Sequence, residues 1–451
     1  MSSHQTQAFI LAHADDDVRQ LALQAAGTAD VDLPYALDQI AGRQKARTKL
    51  PTWAATEGIV YPPHLAMEQC SSERTARYKV EVAVRNLVNS NIRCFADLTG
   101  GFGVDFAFIA QAINSHSPSP TPRHLTFVER NPQLFAVSSK NLQLLVDNAE
   151  CVCADCVEFL RQSTEHYDLI YLDPARRDSN GHRTYGISDC TPDVLAIRDL
   201  LLTKADYVMV KLSPMLDWRK VVQDLGEQHI IDIHIVSVAN ECKELIVVLK
   251  GERLWLGASA EMECEQGDFA VHCVNLLPDG TAQSFSFHSV SGQVPVTRQG
   301  DGRDSWIPTA THHFLYEPNA SIMKAGCFDE VGRRFGLQQI EKNSHLFISA
   351  DFIDDFPGRV FQINAVSSMN KRELKENLKD MTQANITVRN FPMTVAELRR
   401  RLKLKDGGEN YIFATTLSDK RHVLIICSQQ VHRVGSNHQL LVGGDDHNLY
   451  T

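Results

Sequence analysis

The chain has 451 residues, 43% of them hydrophobic and 22% charged, and a formal net charge of −10. At roughly 100–200 residues per domain this length predicts two to four domains, and the composition excludes a disordered or fibrous protein. No run of about 18 apolar residues occurs, so no membrane-spanning helix is expected, and the acidic balance argues against a surface that attracts polyanions everywhere.

Met1 to Asp17 has neither a basic flank nor an apolar core, which predicts no secretory signal. The eleven cysteines are an odd number without repeated pairs, which points to free thiols in a reducing, cytoplasmic compartment. Cys151, Cys153 and Cys156 lack a second cluster to complete a tetrahedral site, so no metal is expected. Residues 1–75 carry helical periodicity, as in Asp17–Leu23 and at Leu33, Leu37 and Ile40, and predict an N-terminal helical domain.

Residues 76–250 then alternate apolar strands with helices. Strands are predicted at Arg93–Leu98, Leu125–Glu129, Glu150–Ala154, Leu169–Asp173, Tyr207–Leu212, Ile230–Val238 and Glu244–Lys250, with helices such as Pro132–Val146 and Asp193–Leu202 between them. Such alternation predicts an α/β, Rossmann-like sheet of seven strands, mostly parallel and closed by one antiparallel strand. Ser115–Pro122 reads as a loop away from any site. Residues 251–358 read as β-rich, with a turn at Pro278-Asp279-Gly280 and a connector at Gln299–Arg303. Residues 359–430 read strand, helix, strand, helix, strand, strand, and 431–451 as a tail.

The strongest local signal is Asp97-Leu98-Thr99-Gly100-Gly101-Phe102-Gly103, a strand end that turns through three glycines into a helix. Glycines let a ligand approach bare backbone. A dinucleotide loop offers amides to a diphosphate, and an acid at the turn would repel it. Asp97 suits instead the cationic amino-acid end of S-adenosylmethionine, with Thr99, Gly101 and Gly103 around it. Glu129, at the next strand end, can accept both ribose hydroxyls, although alone it would read as a solvated acid. Asp155, after the third strand, either contacts adenine or caps the following helix.

Tyr167-Asp168-Leu169-Ile170-Tyr171-Leu172-Asp173-Pro174-Ala175-Arg176-Arg177 ends a fourth strand in Asp-Pro. It resembles the D-P-P-Y acceptor motif of amino-methylating enzymes, with Ala175 and Arg176 in place of the second proline and the aromatic ring. Asp173 is the candidate to orient or deprotonate the acceptor, with Pro174 beside it. Arg176 and Arg177 are candidates to bind phosphate. Lys211 ends the next strand, either facing the same cleft or closing a salt bridge. A covalent thiol route would fall to Cys190 or Cys242, neither of which sits in a supporting motif.

Charge is unevenly spread. From Pro357 to Lys405 there are eleven Lys or Arg against four Asp or Glu, with Arg399, Arg400 and Arg401 consecutive on a predicted helix. A solvated charged face is one reading, and an anionic partner is the other.

The block Glu68-Gln69-Cys70-Ser71-Ser72-Glu73-Arg74-Thr75-Ala76-Arg77-Tyr78-Lys79, the Asp97–Gly103 turn and Asp173-Pro174-Ala175-Arg176 resemble class I S-adenosylmethionine-dependent methyltransferases. Tyr316–Gly326 and Arg389-Asn390-Phe391-Pro392-Met393-Thr394 narrow the resemblance to a bacterial family with a ferredoxin-like and a C-terminal THUMP-like domain. The resemblance implies S-adenosylmethionine as cofactor, with Ser72 and Thr75 as further contacts. THUMP domains bind RNA, so it also implies methylation of a base in tRNA or rRNA. The alternative is a small-molecule or protein acceptor, with the C-terminal domains shaping a pocket or an oligomer.

Overall fold

The computed structural model describes residues 3–24, 30–87, 92–116, 123–176, 186–256, 268–290 and 313–429. It divides into two compact units, Met1–Asp232 with Leu245–Gln266, and Ile233–Glu244 with Gly267–Thr451.

The first unit holds β1 (Cys94–Asp97), β2 (His124–Val128), β3 (Ala149–Val152), β4 (Tyr167–Leu172) and β5 (Ala205–Leu212), while β6 (Ile230–Val238) and β7 (Glu241–Lys250) are divided, Ile233–Glu244 belonging to the second unit. They lie in a sheet of nine strands rather than the seven expected, in the order β3-β2-β1-β4-β5-β7-β6 followed by the two strands of a further hairpin. β1 to β5 pair in parallel, and β7 runs antiparallel to β5. The central strand β1 is buried along its whole length, as a strand covered on both faces must be. Phe106, from the helix Val104–His116, stacks on Phe95 with ring centroids 5.5 Å apart and meets Phe127 edge-on. These rings fix the first crossover helix on the sheet. The strand order reverses between β1 and β4, and ligands in open α/β sheets bind beyond the carboxyl ends at such a point.

The N-terminal helices belong to this unit. Trp53, on Pro51–Ala55, packs edge-on against Phe102 of the glycine turn with centroids 5.0 Å apart. Asn141 bonds both backbone groups of Val60. Glu73 accepts hydrogen bonds from Thr52 and Arg77, which tie the start of the helix Glu73–Leu87 to its neighbour.

In the second unit, Ala239 and Asn240 turn the β6–β7 hairpin, both with positive φ, which matches the strand twist of a tight two-residue turn. β8 (Asp268–Leu276) and β9 (Ala282–Val290) form the expected hairpin around Pro278-Asp279-Gly280, with Gly280 at φ +88°. The start of the stretch read as β-rich is helical, at Glu252–Leu256. A further sheet orders Gln338–Gln339, β11 (Phe347–Ser349), β10 (Phe314–Pro318), β12 (Gly358–Ser368), β15 (His422–Gln429), β14 (Asn410–Thr416) and β13 (Asn385–Arg389). Helices Lys371–Asn377 and Val395–Leu402 complete the alternation read from the sequence for residues 359–430. Buried Glu317 of β10 accepts from Arg359 of β12 and, at 3.0 Å, from Arg389 of β13.

Strand ends differ from the sequence reading by one to three residues, so that Glu129 and Asp173 lie just past β2 and β4 rather than inside them. Ser115 and His116 continue a helix instead of starting a loop, because the preceding residues keep its apolar face buried. Residues 117–122, the connector Gln299–Arg303, Arg177 and the tail 431–451 lie outside the described residues.

Candidate cofactor and acceptor site

The glycine turn is closed by backbone. Gly100 N–H bonds Val128 C=O, and Gly103 N–H bonds Gly100 C=O. Gly101 and Gly103 have φ of +56° and +86°, a region that side chains disfavour. Gly100 is required for a different reason, since a Cβ there would lie 2.1 Å from the ring of Phe127. Gly100→Ala is expected to displace that buried ring and cost about 1–3 kcal/mol, measurable as a lowered urea midpoint. At Gly101, by contrast, a Cβ would come no nearer than 3.7 Å to its closest neighbour, Thr99 O, so the turn leaves room above its backbone.

Four carboxylates surround this turn. Asp97 is 1% exposed and accepts the Thr99 N–H at 3.0 Å. Burial drives its carboxyl well above the ordinary range; the Thr99 bond opposes this, and the charges of Asp105, Asp173 and Glu129 add to the rise. Glu129 is held at both oxygens, Oε2 by Gly101 N–H at 2.8 Å and Oε1 by Asn131 N–H at 2.7 Å. Asp155 caps the helix Cys156–Gln162 through Val157 N–H and Glu158 N–H. It also lines an open cleft with Arg130, Asn131, Pro132 and Gln133.

The acceptor motif is joined to the turn. Thr99 Oγ1 accepts from Asp173 N–H at 2.5 Å, and Asp173 Oδ2 meets Lys211 Nζ at 2.5 Å. Of the two possibilities for Lys211 the structure shows the salt bridge, and its partner is the carboxylate singled out beside it. Asp173 is the more open partner, with its side chain 35% exposed. Pro174 is buried, and Ala175–Arg176 pairs with Cys190–Thr191 as a short antiparallel ribbon. Ser72 and Thr75 bond one another at the start of the helix Glu73–Leu87, Thr75 N–H to Ser72 Oγ at 3.3 Å and Thr75 Oγ1 to Ser72 C=O at 3.0 Å.

A group that the sequence reading missed lies behind these residues. Lys79 is fully buried, and its ammonium reaches Asp105 Oδ1 at 3.0 Å and Ser71 Oγ at 2.8 Å. Asp105 Oδ2 accepts from Ser71 and from Tyr171 OH, each at 2.8 Å. Burial opposes the charge of Asp105, but Lys79, Lys211 and these hydroxyls hold its carboxyl below the ordinary value.

The thiols do not look activated. Cys190 is buried in the short ribbon, burial raises the Cys242 thiol, and burial pushes Cys70 up to about 11. A thiolate, not a thiol, is the nucleophile.

In the second unit the basic helix Val395–Leu402 buries Leu398 and carries a Thr394/Glu397 capping box. Arg400, Arg401, Lys403 and Lys405 are exposed. Arg399 departs from the expected trio, since it pairs with Asp406 at 2.5 Å and its side chain is only 26% exposed. Phe391 and Tyr411 pack partly buried against the core rather than standing free for stacking. Among the described residues no helix is long and apolar enough to cross a membrane.

Comparison with known proteins adds to this geometry. Residues 314–357 match a family model described as a ferredoxin-like domain, and residues 358–429 one described as THUMP domain-like. A crystal structure from Porphyromonas gingivalis W83, provisionally named a methyltransferase, is 29% identical, with 96% of this chain and 100% of that chain covered at a TM-score of 0.73. Magnesium protoporphyrin IX methyltransferase from Synechocystis PCC 6803, solved with bound S-adenosylmethionine, is 15% identical over 48% of this chain and 97% of its own, at 0.29. A protein of Pyrococcus horikoshii, provisionally named an RNA methyltransferase, is 13% identical over 45% and 96%, at 0.31. At those two scores neither bears on the assignment. No curated protein matches the chain at a significant level. The strand order, the glycine turn at its reversal and the full-length likeness together give this chain a class I S-adenosylmethionine-dependent methyltransferase fold, followed by a ferredoxin-like and a THUMP-like domain.

Proposed function

We propose that this S-adenosylmethionine-dependent methyltransferase modifies RNA, with Asp97, Thr99, Gly101, Gly103, Glu129 and Asp155 holding the cofactor and Asp173 orienting the acceptor. The observation that carries the cofactor half is the crowding of Asp97, Asp105, Asp173 and Glu129 around an open glycine turn. Asp105 and Asp173 are paired with Lys79 and Lys211, but their charges and that of Glu129 still add to the rise at Asp97, which a cation relieves and a phosphate worsens. From the floor of the turn Asp97 acts on the ammonium of the methionine end through low-dielectric surroundings, where charge interactions are stronger than in water. Glu129, already oriented by two backbone amides, faces the ribose, and the cleft at Asp155 takes the adenine end. Ser72 and Thr75 close over the methionine end from the preceding helix.

The cofactor supplies a methyl group activated by positive sulfur, so alignment matters more than acid–base strength. Asp173 accepts a hydrogen bond from the acceptor's N–H or O–H and aims its lone pair. Lys211 holds the other side of that carboxylate, and Thr99 couples its backbone to the cofactor turn. Pro174 stiffens the segment. Arg176 and Arg177 follow as phosphate-binding candidates, and Cys190 and Cys242 take no part.

RNA as acceptor is supported by the THUMP-like match and by the exposed Arg400, Arg401, Lys403 and Lys405. The decisive assay supplies radiolabelled S-adenosylmethionine and total RNA. Nuclease-sensitive label in RNA, lost in Asp173→Ala, is expected. Label in protein or small molecules instead would place the acceptor elsewhere. Binding of an RNA hairpin is expected to weaken steeply with salt, and reversing Arg400 and Arg401 to Glu to cut affinity at least about tenfold and flatten the salt slope by about 1–2. Filter binding across a salt series measures both; an unchanged slope would remove this helix from the interface.

A further inference from the structure

We propose that the buried Lys79–Asp105 pair is a positioning device that holds the Ser71–Thr75 turn in register with the glycine turn. The proposal rests on the cofactor reading above and assigns a role to residues that reading leaves idle.

A fully buried lysine is unusual, and a buried ion pair is weak evidence for stability. Desolvation of two charges often exceeds their attraction, and an apolar pair of similar volume commonly does as well or better. What Lys79 and Asp105 provide is direction. Asp105 sits in the first turn of the helix that the glycine turn launches, two residues beyond Gly103. Its carboxylate gathers Lys79 and Ser71 from the region before β1 and Tyr171 from β4, at 2.8–3.0 Å. Lys79 in turn bonds Ser71 at 2.8 Å, closing a triangle.

Ser71 is therefore fixed twice, from Asp105 and from Lys79. It directly precedes Ser72, whose hydroxyl and carbonyl set Thr75. The same Asp105 contributes to the repulsion felt by Asp97. One buried carboxylate thus links the segment proposed to close over the cofactor, the helix that follows the glycine turn, and the strand that leads into Asp173. Apolar side chains would fill this space without fixing an angle, because hydrogen bonds to a charged group are directional.

The test replaces the pair by side chains of similar size, Lys79→Met with Asp105→Leu, and measures thermal unfolding and S-adenosylhomocysteine affinity by calorimetry. The proposal predicts a variant that still unfolds cooperatively, with a midpoint lowered only as the buried Ser71 and Tyr171 hydroxyls lose their acceptor, and with affinity lowered at least about tenfold. A folded double variant that binds within about twofold of the unaltered protein would overturn it. If the double variant fails to fold, Ser71→Ala decides, since it removes two hydrogen bonds and no charge. It is expected to weaken binding about fivefold while the midpoint stays within about 3 °C, and unchanged affinity would overturn the proposal. Failure of the unaltered protein to bind S-adenosylhomocysteine would contradict the cofactor reading itself, which separates the two.

Discussion

Asp97→Asn is expected to lower S-adenosylhomocysteine affinity at least about tenfold, and to make the unliganded protein more stable than its parent as pH rises. Both effects follow from one buried carboxyl. Its pKa in the folded protein lies well above the ordinary carboxylate value, chiefly because of burial. A group whose folded-state pKa is raised lends stability that is complete below its unfolded pKa, near 3.9, and is lost as pH rises toward the folded value. Asn carries no such charge. The melting difference between variant and parent should therefore open from about pH 4 upward and level off once Asp97 is ionised. Ligand binding runs the other way. The ligand's ammonium needs the ionised form, so in the parent the affinity should fall by up to about tenfold per pH unit below the raised pKa, with proton release on binding. In Asp97→Asn that dependence should vanish. Scanning calorimetry and ligand titration over a shared pH series read both. A parent affinity indifferent to pH in this window would mean that Asp97 does not face a cation.

The second large effect falls on Asp173. Asp173→Ala is expected to lower the rate of methyl transfer by about 10²–10⁴ while leaving S-adenosylhomocysteine affinity within about threefold, because the side chain serves the acceptor rather than the cofactor. Lys211→Met should reduce the rate as well, through the 2.5 Å contact. The two changes together should cost little more than Asp173→Ala alone, since residues acting through one contact are not additive. Single-turnover transfer rates in the four-member cycle supply the measurement. Full additivity would show that Lys211 acts independently of Asp173.

Much of the first unit was legible because its signals are local. The acid and three glycines of Asp97–Gly103 specify a turn within seven residues. Glu129 and Asp173 were visible because apolar runs end at them. The alternation in residues 359–430 was readable for the same reason. What escaped depends on distant partners. Lys79 and Asp105 are 26 positions apart, and each alone resembles an ordinary helical charge, Lys79 on a helix and Asp105 in a helical first turn. Arg399 read as one of three equivalent arginines until Asp406 claimed it. The N-terminal helices read as a domain apart, yet they join the first unit, and the Trp53–Phe102 contact that helps place them joins residues 49 positions apart.

The glycine turn and its carboxylates are proposed to bind S-adenosylmethionine. Titration of S-adenosylhomocysteine into the unaltered protein and into the Asp97→Ala, Glu129→Ala double variant tests it most directly. One site per chain is expected in the former and, in the latter, an affinity lower by at least about a hundredfold, roughly 2.7 kcal/mol. Undiminished affinity in a folded double variant would show that the cofactor binds elsewhere.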